Sequence, residues 1–206
     1  HVAVVYTINN QPKIYLNGQD TQAVPVTHYS NNLSASTSNS TDRLTIGAIG
    51  PGGAGEANWW PGMMQDLRIT KKAIYTSNFT PPNSLLYNPC PIQPACEDVA
   101  LHIQSDTTDA NTSFTDLSSN AHAITVVGDT QHSTADAHLG TTSMSFDGAG
   151  DYLQVGDTTT FKFLHDASTD YTVEGWFYID SSIPTSNTVH RIMGHVINSS
   201  RDVAIE

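Results

Sequence analysis

An antiparallel β-sandwich or jelly roll is the fold class this sequence predicts, and three observations predict it. Short alternating apolar runs come at close, regular intervals with Gly, Asn and Pro between them. Thr, Ser and Asn recur throughout while charged residues make up only 14% of the chain, a balance that suits exposed β-surfaces better than helices. Helical periodicity is weak, reaching at most a turn near Thr160–His165. With 206 residues, 38% of them apolar, the chain is long enough for one large β-domain or two ordinary ones.

The strands follow in order. Val2–Thr7 reads as a buried strand, closed by Asn9-Asn10-Gln11-Pro12. Lys13–Leu16 alternates and stops at Asn17-Gly18, a hairpin signal because both residues tolerate positive φ. Asp42–Gly47 alternates through Leu44 and Ile46, Gly50–Gly55 must be loop, and Met63–Thr70 alternates through Leu67 and Ile69. A second series comprises Val99–Ile103, His122–Val127, Ser143–Phe146, Tyr152–Val155, Tyr171–Ile179 and Ile192–Ile197. In Tyr171–Ile179, Val173, Gly175, Phe177 and Ile179 share one face, and Thr172, Glu174, Trp176 and Tyr178 share the other. Aromatic residues on both faces predict a strand covered on both sides. Val2, Val4, Leu16, Ile69, Phe146, Val173 and Phe177 are the predicted core.

Prolines concentrate from Pro81 to Pro94, and proline cannot donate to a ladder, so this stretch is a linker or a stiff extended crossing rather than a central strand. It separates residues 1–88 from 98–206, with 89–97 between them. His1–Tyr6 opens as a strand already under way and Arg201–Glu206 ends inside another alternating run, so the chain is expected to be a segment of a longer polypeptide.

The formal net charge is −12, with eight basic residues scattered singly. Nucleic acid and anionic lipid both need clustered Lys and Arg, so neither is an expected partner. No run approaches the ~20 apolar residues of a membrane span. Cys90 and Cys96 flank Pro91–Ala95. Two thiols with no neighbouring His cannot close a zinc site. They admit either a local disulfide in an oxidising compartment or two free thiols.

The stretch Trp60-Pro-Gly-Met-Met-Gln-Asp-Leu-Arg-Ile-Thr70, continuing to Ala73-Ile-Tyr-Thr-Ser-Asn-Phe-Thr-Pro-Pro82, resembles the end of a laminin G-like, concanavalin A-like jelly-roll domain. His1–Val5 and Ile14–Gly18 resemble a hairpin of that family, so residues 1–88 match a domain's C-terminal half. Leu101–Ile103, Phe114–Ser118, Phe146-Asp-Gly-Ala-Gly-Asp-Tyr-Leu153 and Tyr171–Phe177 are similar to its opening strands, so 98–206 match the N-terminal half. The family's Phe-Asp-Gly is replaced here by Ile103-Gln-Ser105. The halves stand in reversed order. The segment either spans the end of one tandem repeat and the start of the next, which is the expectation, or is a circular permutant. The Thr-Ser-Asn-Phe-Thr-Pro-Pro tail is most similar to repeats of bacteriophage tail-fibre and other virion-surface proteins.

Related jelly rolls that cleave glycans use two carboxylates close together, and no such cluster of glutamates occurs here. Glu174 stands alone on its strand and is expected to be solvated or paired. The nine histidines lack metal-binding spacing and there is no Gly-x-Ser-x-Gly elbow, so no catalytic residue is assigned and the chain is read as non-enzymatic. The ligand candidates are Trp59, with Asn58 and Glu56 from the glycine-rich loop, because sugars stack on aromatic rings and hydrogen-bond to amides and carboxylates. Trp60, Trp176 and Phe177 are read as packing residues. The resemblance implies a structural Ca²⁺ with Asp66, from the closing strand, and Asp147 as carboxylate ligands; the alternative for Asp66 is a pair with Arg68 or a turn cap.

These readings give an extracellular or virion-surface binding module recognising a cell-surface glycan or protein, with no cofactor required. The alternative is a structural repeat or decoration of a fibre or filament that assembles only with copies of itself.

Overall fold

The computed structural model describes residues 1–21, 43–48, 59–85, 98–164, 168–179, 190–198 and 201–205, and structural statements below refer to these. Their regular structure is almost entirely strand: β1 (Val2–Tyr6), β2 (Lys13–Leu16), β3 (Gln19–Asp20), β4 (Leu44–Ile46), β5 (Pro61–Thr70), β6 (Val99–Ile103), β7 (Ile124–Val127), β8 (Gln131–Ser133), β9 (Ser143–Asp147), β10 (Tyr152–Val155), β11 (Tyr171–Ile179), β12 (Met193–Asn198) and β13 (Arg201–Ile205). One 3₁₀ turn, Lys162–Leu164, lies where the sequence predicts a turn. No helix among the described residues is long and apolar enough to cross a membrane.

All pairings are antiparallel and form two sheets. The larger runs β3-β2-β1-β11-β5-β9-β8, with β6 also on β5, and the smaller runs β13-β12-β4-β10-β7. β5 is long enough to take two partners along one edge: Pro61–Met64 pair with β9, and Leu67–Thr70 pair with β6. Strands from before and after the proline-rich stretch interleave. β1 and β5 both pair with β11, and β4 pairs with β10 and β12. The stretch 86–97 itself, with Cys90 and Cys96, lies outside the described residues.

A single hydrophobic cluster draws on both sheets, with Met64, Leu67, Ile69, Met144, Phe146 and Val173 from the larger and Leu44, Ile46, Leu153 and Val155 from the smaller. Of the predicted core, Val4, Ile69, Phe146 and Val173 are buried, and Phe177 packs against the cluster half-buried. Leu16 corrects the sequence reading, at 53% exposure. It pairs with Val2 and so shares the core-side face, but no described residue of β2 or β3 enters the large cluster. Apolar alternation marks a face; it does not say whether anything lies opposite.

Asn17 and Gly18 both take positive φ (49° and 77°) and join β2 to β3 in the two-residue hairpin their sequence predicts. β3 and β8, of two and three residues, are too short and too polar to read from the sequence.

β5 carries the feature that shapes everything around it. Its register with β11 shifts between Glu174 and Trp176, so that Asp66 and Leu67 together oppose Gly175. Asp66 sits at φ 55°, a left-handed conformation that Asp tolerates better than most residues. This bulge places Met64, Leu67 and Ile69 on the core side. Gln65 and Arg68, three apart rather than two, then share the opposite face, with Trp176 and Glu174 opposite them on β11.

Candidate functional site

The face of the large sheet turned away from the main cluster is partly covered by the segment after β5. Ala73, Tyr75 and Phe79 pack on Ala3, Val5 and Tyr15. Tyr75 and Phe79 stack at 3.6 Å, and Tyr15 meets Phe79 edge-on at 5.6 Å. The backbone N–H of Phe79 donates to the Gly18 carbonyl (2.9 Å), and the Ile74 N–H donates to Thr172 Oγ1 (3.0 Å). The strand predicted to be covered on both faces is therefore capped by the chain's own tail as well as by the core.

Under the tail's edge lies Glu174, 1% exposed. It accepts from Arg68 Nη2 (2.5 Å) and Nε (3.0 Å) and from Tyr75 Oη (2.6 Å), and His1 Nε2 lies 3.4 Å from Oε2. Burial raises its pKa, but the His1 hydrogen bond, the Arg68 charge and the Tyr75 hydroxyl outweigh it and hold the carboxyl down to about 2. The sequence expectation of a solvated or paired side chain resolves to a fully buried pair. Glu174 is thus an ionised anchor, with its lone pairs engaged, rather than a proton donor. The same contacts push the Tyr75 phenol upward, through burial first and then the Glu174 charge.

Beside this network the sheet opens into a groove of about 350 Å³, lined by His1, Asn17, Met63, Gln65, Trp176 and Tyr178 among others, and edged by Asp136 and His138. Trp176 is half-buried here rather than in the core, because the alternation of β11 puts it on the same outward face as Glu174 and Tyr178. The exposed His138 imidazole lies over its indole at 3.8 Å, tilted 30°, and His1 meets it edge-on at 5.3 Å. Tyr178 is 48% exposed at the groove's end.

Gln65 fixes the loop that carries Asp136 and His138. Its side-chain amide donates to the Leu139 and Thr142 carbonyls and accepts from the Leu139 N–H (2.7 Å). A glutamine amide thus does for this loop what a neighbouring strand does for a sheet. Nothing local to Gln65 announces this role, since its partners lie 74 and 77 residues away.

Two buried histidine pairs lie elsewhere. His102 Nε2 meets Asp66 Oδ1 at 2.6 Å, with both side chains under 5% exposed. Ser105 Oγ meets His132 Nδ1 at 2.6 Å, and the other His132 nitrogen lies 3.1 Å from the Ser113 carbonyl. Burial lowers the His132 pKa, against the raising effect of that carbonyl. Ser105 is 0% exposed, so the hydroxyl has no access to a substrate and the pair acts as an internal cross-link.

Of the sequence-predicted ligand residues, Glu56 and Asn58 lie outside the described residues. Trp59 is half-buried ahead of β5, and its carbonyl accepts from His190 Nδ1 (2.9 Å). Trp60 is buried against Phe177, as expected of a packing residue. Asp66 and Asp147 are not brought together. Asp147 pairs with Pro61, five positions from Asp66 along β5, or roughly 17 Å of extended strand. Asp66 Oδ1 meets His102 Nε2 in a buried pair. Asp147 instead gathers with Asp129 and Asp151, their carboxylate atoms within 4.8 Å of one another. Asp151 is 2% exposed and accepts the backbone N–H groups of Asp129 (2.8 Å) and Asp147 (3.0 Å), which ties two turns together. Burial raises its pKa to about 6; the two N–H bonds oppose this and the neighbouring carboxylates add to it. Both Asp151 oxygens are occupied by these turns, and the other two side chains are exposed.

Compared with known proteins, the chain matches no family model, no curated protein and no solved structure.

Proposed function

We propose that this chain is a non-enzymatic glycan-binding module, a concanavalin A-like β-sandwich of jelly-roll type, displayed outside a cell or on a virion surface. Its ligand lies in the groove on the outer face of the large sheet rather than at the loop before β5. The observation that carries this reading is the aromatic lining of that groove: Trp176, Tyr178 and the two imidazoles beside Asp136 and Asn17. Sugars present apolar C–H faces and hydroxyl edges, and a concave site of rings with a few polar groups suits both.

The laminin G-like resemblance of residues 1–88 and 98–206 supports the fold, as does a core shared by two antiparallel sheets. The pairing of β5 with β6, β9 and β11 is consistent with halves that complete one another, in one chain or between neighbouring repeats. A binding role is favoured over hydrolysis because glycosidases need one carboxyl poised to give up a proton, and Glu174, buried beside the groove, is held ionised.

The test is retention of fluorescently labelled protein on an array of cell-surface and bacterial glycans. His138→Ala and Tyr178→Ala remove exposed rings without touching the core, and should abolish retention of whichever glycan the unmodified chain holds. An empty array, or retention indifferent to both substitutions, refutes the proposal.

A further inference from the structure

We infer that the groove takes an amino sugar whose amine is free and positively charged, that ammonium lying between the Asp136 carboxylate and the exposed ring of Tyr178. The inference rests on the glycan-binding reading above and names the substrate class of that same site.

Charge is the first observation. No Lys or Arg side chain lines the groove, and Asp136 is its only carboxylate. Glu174, buried beside the groove, is balanced by Arg68 at 2.5 Å. The chain as a whole carries a formal charge of −12. A cleft lined by one sign of charge concentrates the opposite one. The α-amino group of His1 is a cation at this site, but it donates to Asn17 Oδ1 (2.8 Å) on the β1 side. Asp136 belongs to the far side, where its carbonyl accepts from the hydroxyl of Ser143 at the start of β9. β11 and β5 lie between β1 and β9, so the strands that anchor the two charges are three spacings apart, roughly 14 Å.

The second observation is that Asp136 has unused acceptors. Asp106, Asp109, Asp116 and Asp157 each accept backbone N–H groups of neighbouring turns. The exposed Asp136 carboxylate has no hydrogen-bond or ion-pair partner among the described residues. Its backbone is nonetheless fixed, by the Ser143 hydroxyl and by the Gln65 amide on Leu139 and Thr142. A carboxylate on an anchored loop gives up little freedom when it binds.

Tyr178 supplies the third. It is 48% exposed, and no aromatic ring of the described residues packs on it. It pairs with Met63 on β5, which pairs in turn with Ser145 on β9. Tyr178 and the strand that anchors Asp136 are thus two spacings apart, roughly 10 Å, a span that one sugar ring bridges. The face of an aromatic ring attracts a cation, and a carboxylate does so too, so the two together select an ammonium. N-acetylation removes that charge, and a uronic or sialic acid brings the opposite one. A hexosamine amine titrates close to an α-amino group, at about 8, so it is largely charged at pH 7.

The experiment measures binding by calorimetry at pH 7 to three β-1,4-linked trisaccharides, of glucosamine, N-acetylglucosamine and glucose, and to trilysine. Wild type is compared with Asp136→Asn, an exposed change that removes the charge and keeps the shape. At about 20 mM salt the glucosamine trisaccharide should bind about tenfold more tightly than either neutral one, the combined weight of one exposed ion pair and one cation–π contact. That preference should fall below about threefold at about 0.5 M salt, where the screening length shrinks to ~4 Å. Asp136→Asn should weaken the glucosamine trisaccharide about three- to fivefold and leave the glucose trisaccharide within about twofold. The inference is overturned if glucosamine binds no better than the neutral sugars, or if Asp136→Asn affects all three alike or none. Trilysine binding as tightly as the glucosamine trisaccharide also overturns it, since general attraction to an acidic chain then accounts for the affinity. Any of these results beside a positive glycan array removes the amino-sugar reading alone. An empty array removes the binding reading with it.

Discussion

Glu174→Gln tests the buried network at the heart of the outer face, and its cost can be worked from the carboxyl's titration. The fall from an ordinary value of 4.5 to about 2 corresponds to roughly 3 kcal/mol of preferential stabilisation of the ionised form in the folded state, at ~1.4 kcal/mol per pH unit. Because the folded value lies below the unfolded one, this stability is fully present above about pH 4.5 and is lost as pH falls towards 2. Glutamine fits the same space but has one acceptor atom where four donors converge from Arg68, Tyr75 and His1. Arg68 keeps 20% side-chain exposure and regains some water when its partner is lost, so roughly 3 kcal/mol is an upper figure. Urea unfolding at pH 7 should show a loss of about 2–3 kcal/mol, or a drop in Tm of roughly 4–12 °C for a chain of this size. The difference should shrink as pH is lowered through 4.5 to 2, because wild type then loses the same charge. A variant within about 0.5 kcal/mol of wild type at pH 7, or a deficit that does not change with pH, would refute the reasoning. The sequence reading, a solvated or paired strand carboxylate, expects this change to leave stability nearly unaltered; the burial of the pair reverses that expectation.

Four further outcomes follow from the same geometry. Tyr75→Phe removes one charge-assisted hydrogen bond and should cost about 1.5–3 kcal/mol at pH 7, measured by the same unfolding curves. Gln65→Leu leaves the Leu139 and Thr142 backbone groups unpaired; amide exchange at Leu139 should accelerate and indole fluorescence change as His138 leaves Trp176, while retained protection would show the loop is held otherwise. Gly18→Ala places a Cβ 1.9 Å from the Phe79 carbonyl at φ 77°, so it should cost at least about 2 kcal/mol and weaken the near-ultraviolet circular dichroism of the Tyr75–Phe79 stack. Carboxyl-carbon NMR should find Asp151 titrating near 6 and Glu174 near 2. Asp151's raised value favours the fold below about 3.8 and ceases to do so as pH rises through 6, whereas Glu174 acts in the reverse sense below 4.5, so the two together favour a stability maximum near pH 4 to 5.

The strands were legible where burial imposes a period of two over four or more residues. β2, β6, β10 and β11 run between the residues the alternation marks, and Asn17-Gly18 turns as its chemistry requires. β3 and β8 were not, because their pairing is supplied by neighbours and not by their own pattern. The site divides in the same way. The sequence supplied the outward set Thr172, Glu174, Trp176 and Tyr178 on one strand, since alternation is local. It could not supply what meets them. Arg68 reaches Glu174 from 106 residues away, Gln65 reaches the loop before β9 from 74, and Asp66 meets His102 from 36. Each of these rests on the one-residue bulge at Asp66, which shifts the phase of β5 against β11. A phase shift between two strands is a property of the pair, so composition and periodicity fixed which faces exist, and only the folded register decided which side chains share them.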